Sequence, residues 1–317
     1  MPMRVVHGAV VATACVLLAC GGAEREQKES AAWSFATPEA AVAAFVAALE
    51  KNNTDELESL LGPGTKGMLS SGDEVADRNA RQSFLQRYRD KHQLVAGGPD
   101  DLALQVGHDD WPLPIPLVRR NGRWSFDGAA GAEELVMRRI GANELRVIAV
   151  MHGYVDAQQE YASAGRDGGE PGVFAQRLRS DPGKQDGLYW ETAPGQPHSP
   201  LGPFVAAAAE EGYTASGSSQ GAATQRPYHG YRYRMLFSQG DAASGGAHDY
   251  IVDGKLKDGF ALVAFPDSYG KSGVMTFMVN QDGVVWQRDL GEETPKVAAA
   301  MKQFNPDPNW TPIASEG

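Results

Sequence analysis

The stretch Trp111-Pro112-Leu113-Pro114-Ile115-Pro116-Leu117-Val118 decides how the first part of this chain is built. Its three prolines share one parity, so in an extended strand all three missing N–H groups face the same side. Such a run is expected only at the edge of a sheet, where that side needs no partner. The prolines also blunt the edge against aggregation. Ile115 then faces inward. Just downstream, Asn121-Gly122 marks a two-residue hairpin turn into Arg123-Trp124-Ser125-Phe126-Asp127. Just upstream, Leu102, Leu104 and Val106 alternate with polar residues as a strand.

Further upstream the chain reads as helical. Thr37-Pro38-Glu39-Ala40 is a helix start, with Thr37 as N-cap and Pro38 at the first helical position. Val42, Phe45, Val46 and Leu49 keep helical spacing. After Asn52, Asn53 and Thr54, residues Asp55 to Leu61 make a second helix ending at Gly62-Pro63-Gly64. A third spans about Asp73 to Lys91, with Phe84, Leu85 and Tyr88 on one side. Helices followed by a curved antiparallel sheet resemble the cone-shaped fold of nuclear-transport-factor-2-like (NTF2-like) domains. On that likeness residues 35–141 form an α+β domain.

Downstream, Glu133 to Arg139 and Asn143 to Ser163 read as two helical stretches separated by Gly141, where the domain boundary is placed. In the second, Glu144, Ile148, Met151, Val155, Gln158 and Tyr161 fall on one stripe, flanked by Val147 and Tyr154. A loop-rich segment follows, with short helices at Val173 to Leu178 and Phe204 to Glu211. Four strands then form an antiparallel meander: His229 to Phe237, Gly259 to Pro266, Gly273 to Asn280 and Gly283 to Arg288. Asp249 to Asp258 reads as a small hairpin, and the tail from Phe304 is expected along the surface. The second part, residues 142–317, loosely resembles the heads of type IV pilins and pseudopilins, a helix packed on a meander. It lacks their prepilin cleavage site and apolar N-terminal stem, so assembly into a fibre is not expected. The fold class is α+β throughout.

Glycine and proline together make up about 18% of the chain, from 37 and 19 of 317 residues, which explains its many loops. Lys+Arg 29 against Asp+Glu 40 gives a net charge of −11, which argues against a nucleic-acid partner. Arg4 is the only charge before the apolar run from Ala9 to Ala19, whose 11 residues suit a signal-peptide core. A membrane-spanning helix needs about 20. The run ends in Leu17-Leu18-Ala19-Cys20-Gly21-Gly22, which resembles the lipobox of bacterial lipoproteins. The resemblance implies cleavage before Cys20 and lipid on its sulfur. Residue 22 is glycine rather than aspartate, which points to the outer membrane, facing the periplasm. Residues 1–19 are thus a signal peptide and 20–34 a lipidated flexible tether. The other cysteine, Cys15, lies in the cleaved part, so no disulfide, zinc-thiolate cluster or cysteine nucleophile is expected.

The chemistry-bearing motifs are sparse. Gly217-Ser218-Ser219-Gln220-Gly221 matches a nucleophile elbow in letters only, since its Ala, Ser, Thr and Gln flanks supply neither strand nor helix. His108-Asp109-Asp110 and His248-Asp249 lack helical His-x-x-x-His spacing and a third ligand, so no metal is expected. Asn280-Gln281-Asp282-Gly283 lacks the distal glutamate of a calcium loop and reads as a turn. No cofactor is expected. Glu144 and Gln158 are polar on an apolar stripe, and a buried carboxylate needs a partner. Arg138, Arg139 and Arg146 are near in sequence. Two readings stand: an ion pair joining the two halves, or a polar pocket between them with Glu144 as base or ligand anchor. Tyr189, Trp190, Tyr213, Tyr228, Tyr231, Tyr233 and Tyr250 either pack the core or line a groove for glycans or peptides. The candidate binding residues are Glu144, Arg139, Gln158, Trp190, Tyr228, His229, Tyr231 and Asp249. None is assigned a catalytic role.

Several runs in order resemble the bacterial domain-of-unknown-function family 2950. They are Trp111 to Pro116, Arg138 to Glu144, Asp156 to Tyr161, Gly187 to Trp190, Ser199 to Gly202, Tyr228 to Arg232 and Tyr269 to Phe277. The resemblance implies an exported protein of unassigned activity, with no catalytic residues to carry over. The expected function is an envelope-anchored lipoprotein, tied to the membrane through Cys20, acting as a non-catalytic binding or assembly module. Its partners would be envelope proteins or a peptidoglycan-like polymer. The alternative is a hydrolase or transferase acting on an envelope polymer, with an interdomain pocket around Glu144. That alternative requires Glu144, His229 and Asp249 to converge within hydrogen-bond reach.

Overall fold

The computed structural model describes residues 32–166, 169–193, 195–213 and 226–314. The expected signal peptide, Cys20, the expected tether up to residue 31 and the Gly217–Gly221 motif lie outside the described residues. Four helices come first: α1 (Pro38–Glu50), α2 (Thr54–Leu61), α3 (Lys66–Leu69) and α4 (Glu74–Asp90). The Thr37 hydroxyl accepts from the Ala40 N–H at 3.2 Å, and Pro38 opens α1 as expected. Ala41, Val42, Phe45, Ala48 and Leu49 form its buried face. The Asn53 side chain caps α2, which ends at Gly62 with φ +101°.

The first sheet holds β1 (His92–Gly98), β2 (Asp101–Val106), β3 (Trp111–Pro112), β4 (Leu117–Arg120) and β5 (Arg123–Phe126), all paired antiparallel. Its order is β1-β2-β4-β5, with β3 also on β2. Asn121 (φ +53°) and Gly122 (φ +75°) make the expected mirror-type turn between β4 and β5. The proline run departs from the single edge strand expected of it. Only Trp111–Pro112 pairs there, and Leu113 N–H still reaches the Leu104 carbonyl at 2.8 Å. Pro114 and Pro116 then interrupt the ladder, and Leu117–Arg120 resumes inside the sheet between β2 and β5. Two closely spaced residues without N–H groups break the pairing long enough for the chain to change position. Leu113, Ile115 and Leu117 nevertheless all face the core. β1 was not anticipated, because most of its residues are exposed and no apolar alternation marks it.

The fifth helix, α5 (Gly128–Ser163), runs 36 residues without a break at Gly141. A mid-helix glycine costs about 1 kcal/mol relative to alanine, which does not stop a helix anchored at both ends. Here Leu135 and Val136 pack on the core of the first half, and Val147, Met151, Tyr154 and Val155 belong to the core of the second. Among the described residues no helix is long and apolar enough to cross a membrane.

After α6 (Gly202–Glu210) come β6 (Tyr231–Leu236) and two small hairpin pieces, β7 (Ser238–Gln239) with β8 (His248–Asp249), and β9 (Ile251–Val252) with β10 (Lys255–Leu256). Then follow β11 (Ala261–Pro266), β12 (Met275–Asn280), β13 (Trp286–Asp289), α7 (Thr294–Ala300) and β14 (Thr311–Pro312). The second sheet has order β14-β13-β12-β11-β6, an antiparallel meander with a fifth strand taken from the tail. The tail leaves the surface because Phe304 and Trp310 are buried in the second core. All six residues of β11 are buried, and both α5 and α7 pack on it. The short helix expected at Val173 to Leu178 is absent. Gln158 holds that loop open by binding both the N–H and the carbonyl of Ala175, each at 2.9 Å. The fold is α+β.

Candidate functional site

The seam between the two halves gathers the buried polar chemistry. It is built from the start of α4, the middle of α5, the residues after α6 and the turn before β6. Asp73 is the N-cap of α4 and 3% exposed. Its Oδ1 accepts from the N–H groups of Val75 and Ala76 at 3.1 and 3.0 Å. Its Oδ2 accepts from the Tyr213 hydroxyl at 2.8 Å and the Gly230 N–H at 3.0 Å. One carboxylate therefore caps a helix of the first half and grips the second half.

Tyr228 and Tyr231 exchange backbone hydrogen bonds at 2.9 and 3.1 Å around a two-residue turn, His229 (φ +52°) and Gly230 (φ +75°). A side chain at 230 has no room, since a Cβ there would lie 2.8 Å from Asn143 Nδ2 and 2.9 Å from Ser272 Cβ. His229 is an unusual residue for positive φ and is almost fully buried. Its ring lies on Tyr228 with centroids 4.0 Å apart, and its N–H donates to the Tyr213 hydroxyl oxygen at 3.3 Å. Nδ1 is 3.7 Å from the Glu211 carboxylate, too long for a hydrogen bond. Burial, and then the nearby positive charge of Arg146, push the imidazole down to about 4, so it is neutral at pH 7. Burial, and then the negative Glu211, push the Tyr228 phenol up to about 12. Burial and the Asp73 carboxylate raise Tyr213 further, which keeps its hydroxyl a donor.

Glu144 follows Asn143 on α5. Its Oε1 accepts from the N–H groups of Val274 and Met275 at 2.9 and 3.0 Å and lies 3.4 Å from the Tyr231 hydroxyl. That hydroxyl donates to the Met275 carbonyl at 3.0 Å. The partner of Glu144 is thus backbone of the second sheet, whereas an arginine was one of the partners anticipated. Arg139 instead donates to the Met68 carbonyl at 2.8 Å, and Arg138 pairs with Glu134.

Of the eight candidate residues, the structure joins Glu144 to Tyr231 and sets the tilted His229 ring against Tyr228. Arg139 reaches toward the first half. Gln158 lies in the second core, clamping Ala175 and donating to the Tyr154 hydroxyl at 3.0 Å. Trp190 stacks under Arg166 at 5.3 Å. Asp249 is exposed on β8, in a different sheet from Tyr231. Asp109 and Asp110 pair with Arg87 and Lys91. Among the described residues no group of three or more His, Cys, Asp or Glu side chains could hold a metal ion.

Asp73, Asn143 and Glu211 were not singled out from the sequence, and Tyr213 was noted only as one of the aromatics that pack the core or line a groove. Ser71-Gly72-Asp73 carries a readable helix-cap signal, but the partners of Asp73 lie 140 and 157 residues away. A family model for Protein of unknown function (DUF2950) matches residues 32–313 of the chain. No curated protein and no solved structure matches it.

Proposed function

The chain belongs to the family Protein of unknown function (DUF2950), and from that premise we propose that it is an exported, lipid-anchored envelope protein working by contact. Its folded part acts as a non-catalytic binding or assembly module in the periplasm, held to the outer membrane through Cys20. Support for the location comes from the apolar run ending in Leu17-Leu18-Ala19-Cys20-Gly21-Gly22. The observation that carries the mode of action is how the seam carboxylates are used. Asp73 and Glu144 each accept from two or more backbone N–H groups and join segments distant in sequence. A carboxylate held by backbone donors from a distant segment fixes that segment in place and serves rigidity. Rigid presentation of a surface is what a binding module needs. Its partners would be envelope proteins or a peptidoglycan-like polymer.

Mass spectrometry of the mature chain from bacterial envelopes should find diacylglycerol on Cys20, and Cys20→Ala should release the protein from the membrane fraction. A bare Cys20 thiol on a chain recovered from cytosol would sink the anchoring claim. Crosslinking in intact cells should capture a specific envelope partner. A Glu144→Gln chain that still captures it with equal yield agrees with a structural Glu144. Loss of a measurable hydrolytic activity in that variant, with the fold intact, would reverse the non-catalytic reading.

A further inference from the structure

Helix α5 carries four glycines, and three have a visible reason. A Cβ at Gly128 would strike the Leu61 carbonyl, one at Gly131 would lie 2.5 Å from the Pro114 carbonyl, and one at Gly153 would strike the Phe204 ring. Gly141 has no such neighbour: a Cβ there meets nothing within 4 Å. A glycine inside a helix destabilises it relative to alanine, so nothing among the described residues accounts for this one. It sits between two of the most exposed large apolar side chains among the described residues, Met137 (57%) and Leu145 (71%). Ala149, also exposed, continues the row. Met137, Gly141, Leu145 and Ala149 are spaced by four, which makes one ridge on the helix surface, of the kind that packs into the groove of a facing helix.

We propose that this ridge is the contact between two copies of the chain, with two α5 helices crossing antiparallel about a two-fold axis at the level of residue 143. The residue numbers are symmetric about that level. Leu145 of one copy falls opposite Gly141 of the other, and Met137 opposite Ala149, so each large side chain meets a small one. A two-fold contact demands this self-complementarity. Gly141 supplies the hollow that receives Leu145 and lets the helix axes approach to the short end of the usual 8–10 Å range. Farther out, Glu134 and His152 are equally distant from the same level, nine residues on either side, and both are exposed. The symmetry sets an acid opposite an imidazole at both ends. The ridge runs over thirteen residues, twelve steps of the helix, about 18 Å. A contact of that size lies at the small end of specific interfaces, so association in the micromolar range is expected. The proposal does not depend on the lipid anchor.

The test is sedimentation equilibrium of the full chain, as wild type and with Cys20→Ala, so that clustering through lipid is separated from contact through α5. A concentration-dependent dimer is expected in both forms. Gly141→Gln and Leu145→Glu should each weaken it by roughly tenfold or more. Gly141→Gln should leave the thermal midpoint of the monomer unchanged or raised, because it fills open space with a better helix former. A wild type that stays monomeric up to about 100 µM overturns the proposal. So does a dimer insensitive to both substitutions, or a monomer whose binding to phospholipid vesicles the two substitutions abolish. That last outcome would assign the ridge to a lipid surface.

Discussion

The two five-stranded sheets of this protein are held in opposite ways. The first, β1 to β5, is assembled almost wholly from neighbours in sequence, and it keeps an exposed outer strand in β1. The second is buried through β11, carries α5 and α7 on it, and takes its last strand from the end of the chain. The difference teaches that the first half owes its form to turn chemistry and parity, whereas the second owes it to burial of surface that distant segments supply. The seam belongs to the second kind, since Asp73 and Glu144 find their partners far along the chain.

The contrast is sharpest at its extremes. Val263→Asp, in the middle of β11 and 0% exposed, should cost more than about 4 kcal/mol by burying an unpaired charge. Urea unfolding should show either loss of the folded state or a large fall in midpoint. A loss under about 1 kcal/mol would mean that β11 can reach water. Ile115→Lys, on the core side of the proline run, should cost several kcal/mol for the same reason.

Asp73→Ala removes a helix cap together with the grip on Tyr213 and Gly230, and about 2–4 kcal/mol is expected. If the loss matches an ordinary cap at about 1 kcal/mol, the two halves do not depend on that carboxylate.

The neutral, buried His229 gives a pH signature. The imidazole binds its proton less readily folded than unfolded, so below about pH 6.5 the unfolded chain takes up a proton that the folded chain refuses. Stability from this source is complete above pH 6.5 and declines until about pH 4, by up to about 3 kcal/mol. His229→Asn keeps a residue that tolerates positive φ and should flatten that part of the pH profile; an unchanged profile would show that the ring titrates freely. At the small end, Val95→Lys on exposed β1 should stay within about 0.5 kcal/mol. A larger loss would reveal that this strand is covered.

Helix starts and tight turns could be read from neighbouring residues alone. Thr37-Pro38, Asn121-Gly122 and the meander strands behaved as their chemistry dictates, because caps and mirror-type turns are decided by two to four adjacent residues. The inward parity of Ile115 was readable for the same reason. The continuity of α5 was not, since a glycine's local preference loses to two cores that anchor the helix on either side of Gly141. Nor was the burial of Trp310, whose flanking prolines suggest a surface tail while its indole is buried in the second core.

In the candidate site, Glu144 and Gln158 stood out as polar breaks in an apolar stripe, a signal that a periodic pattern carries by itself. Their partners did not, because backbone N–H and carbonyl groups look alike at every position of a sequence. Adjacent residues therefore settled the caps, the turns and the α+β class. The route of the proline run, the fifth strand, the grip of Asp73 on Gly230 and the neutrality of His229 came only with folding. Each depends on which distant segment excludes water from a group, and that is a property of packed neighbours rather than of adjacent ones.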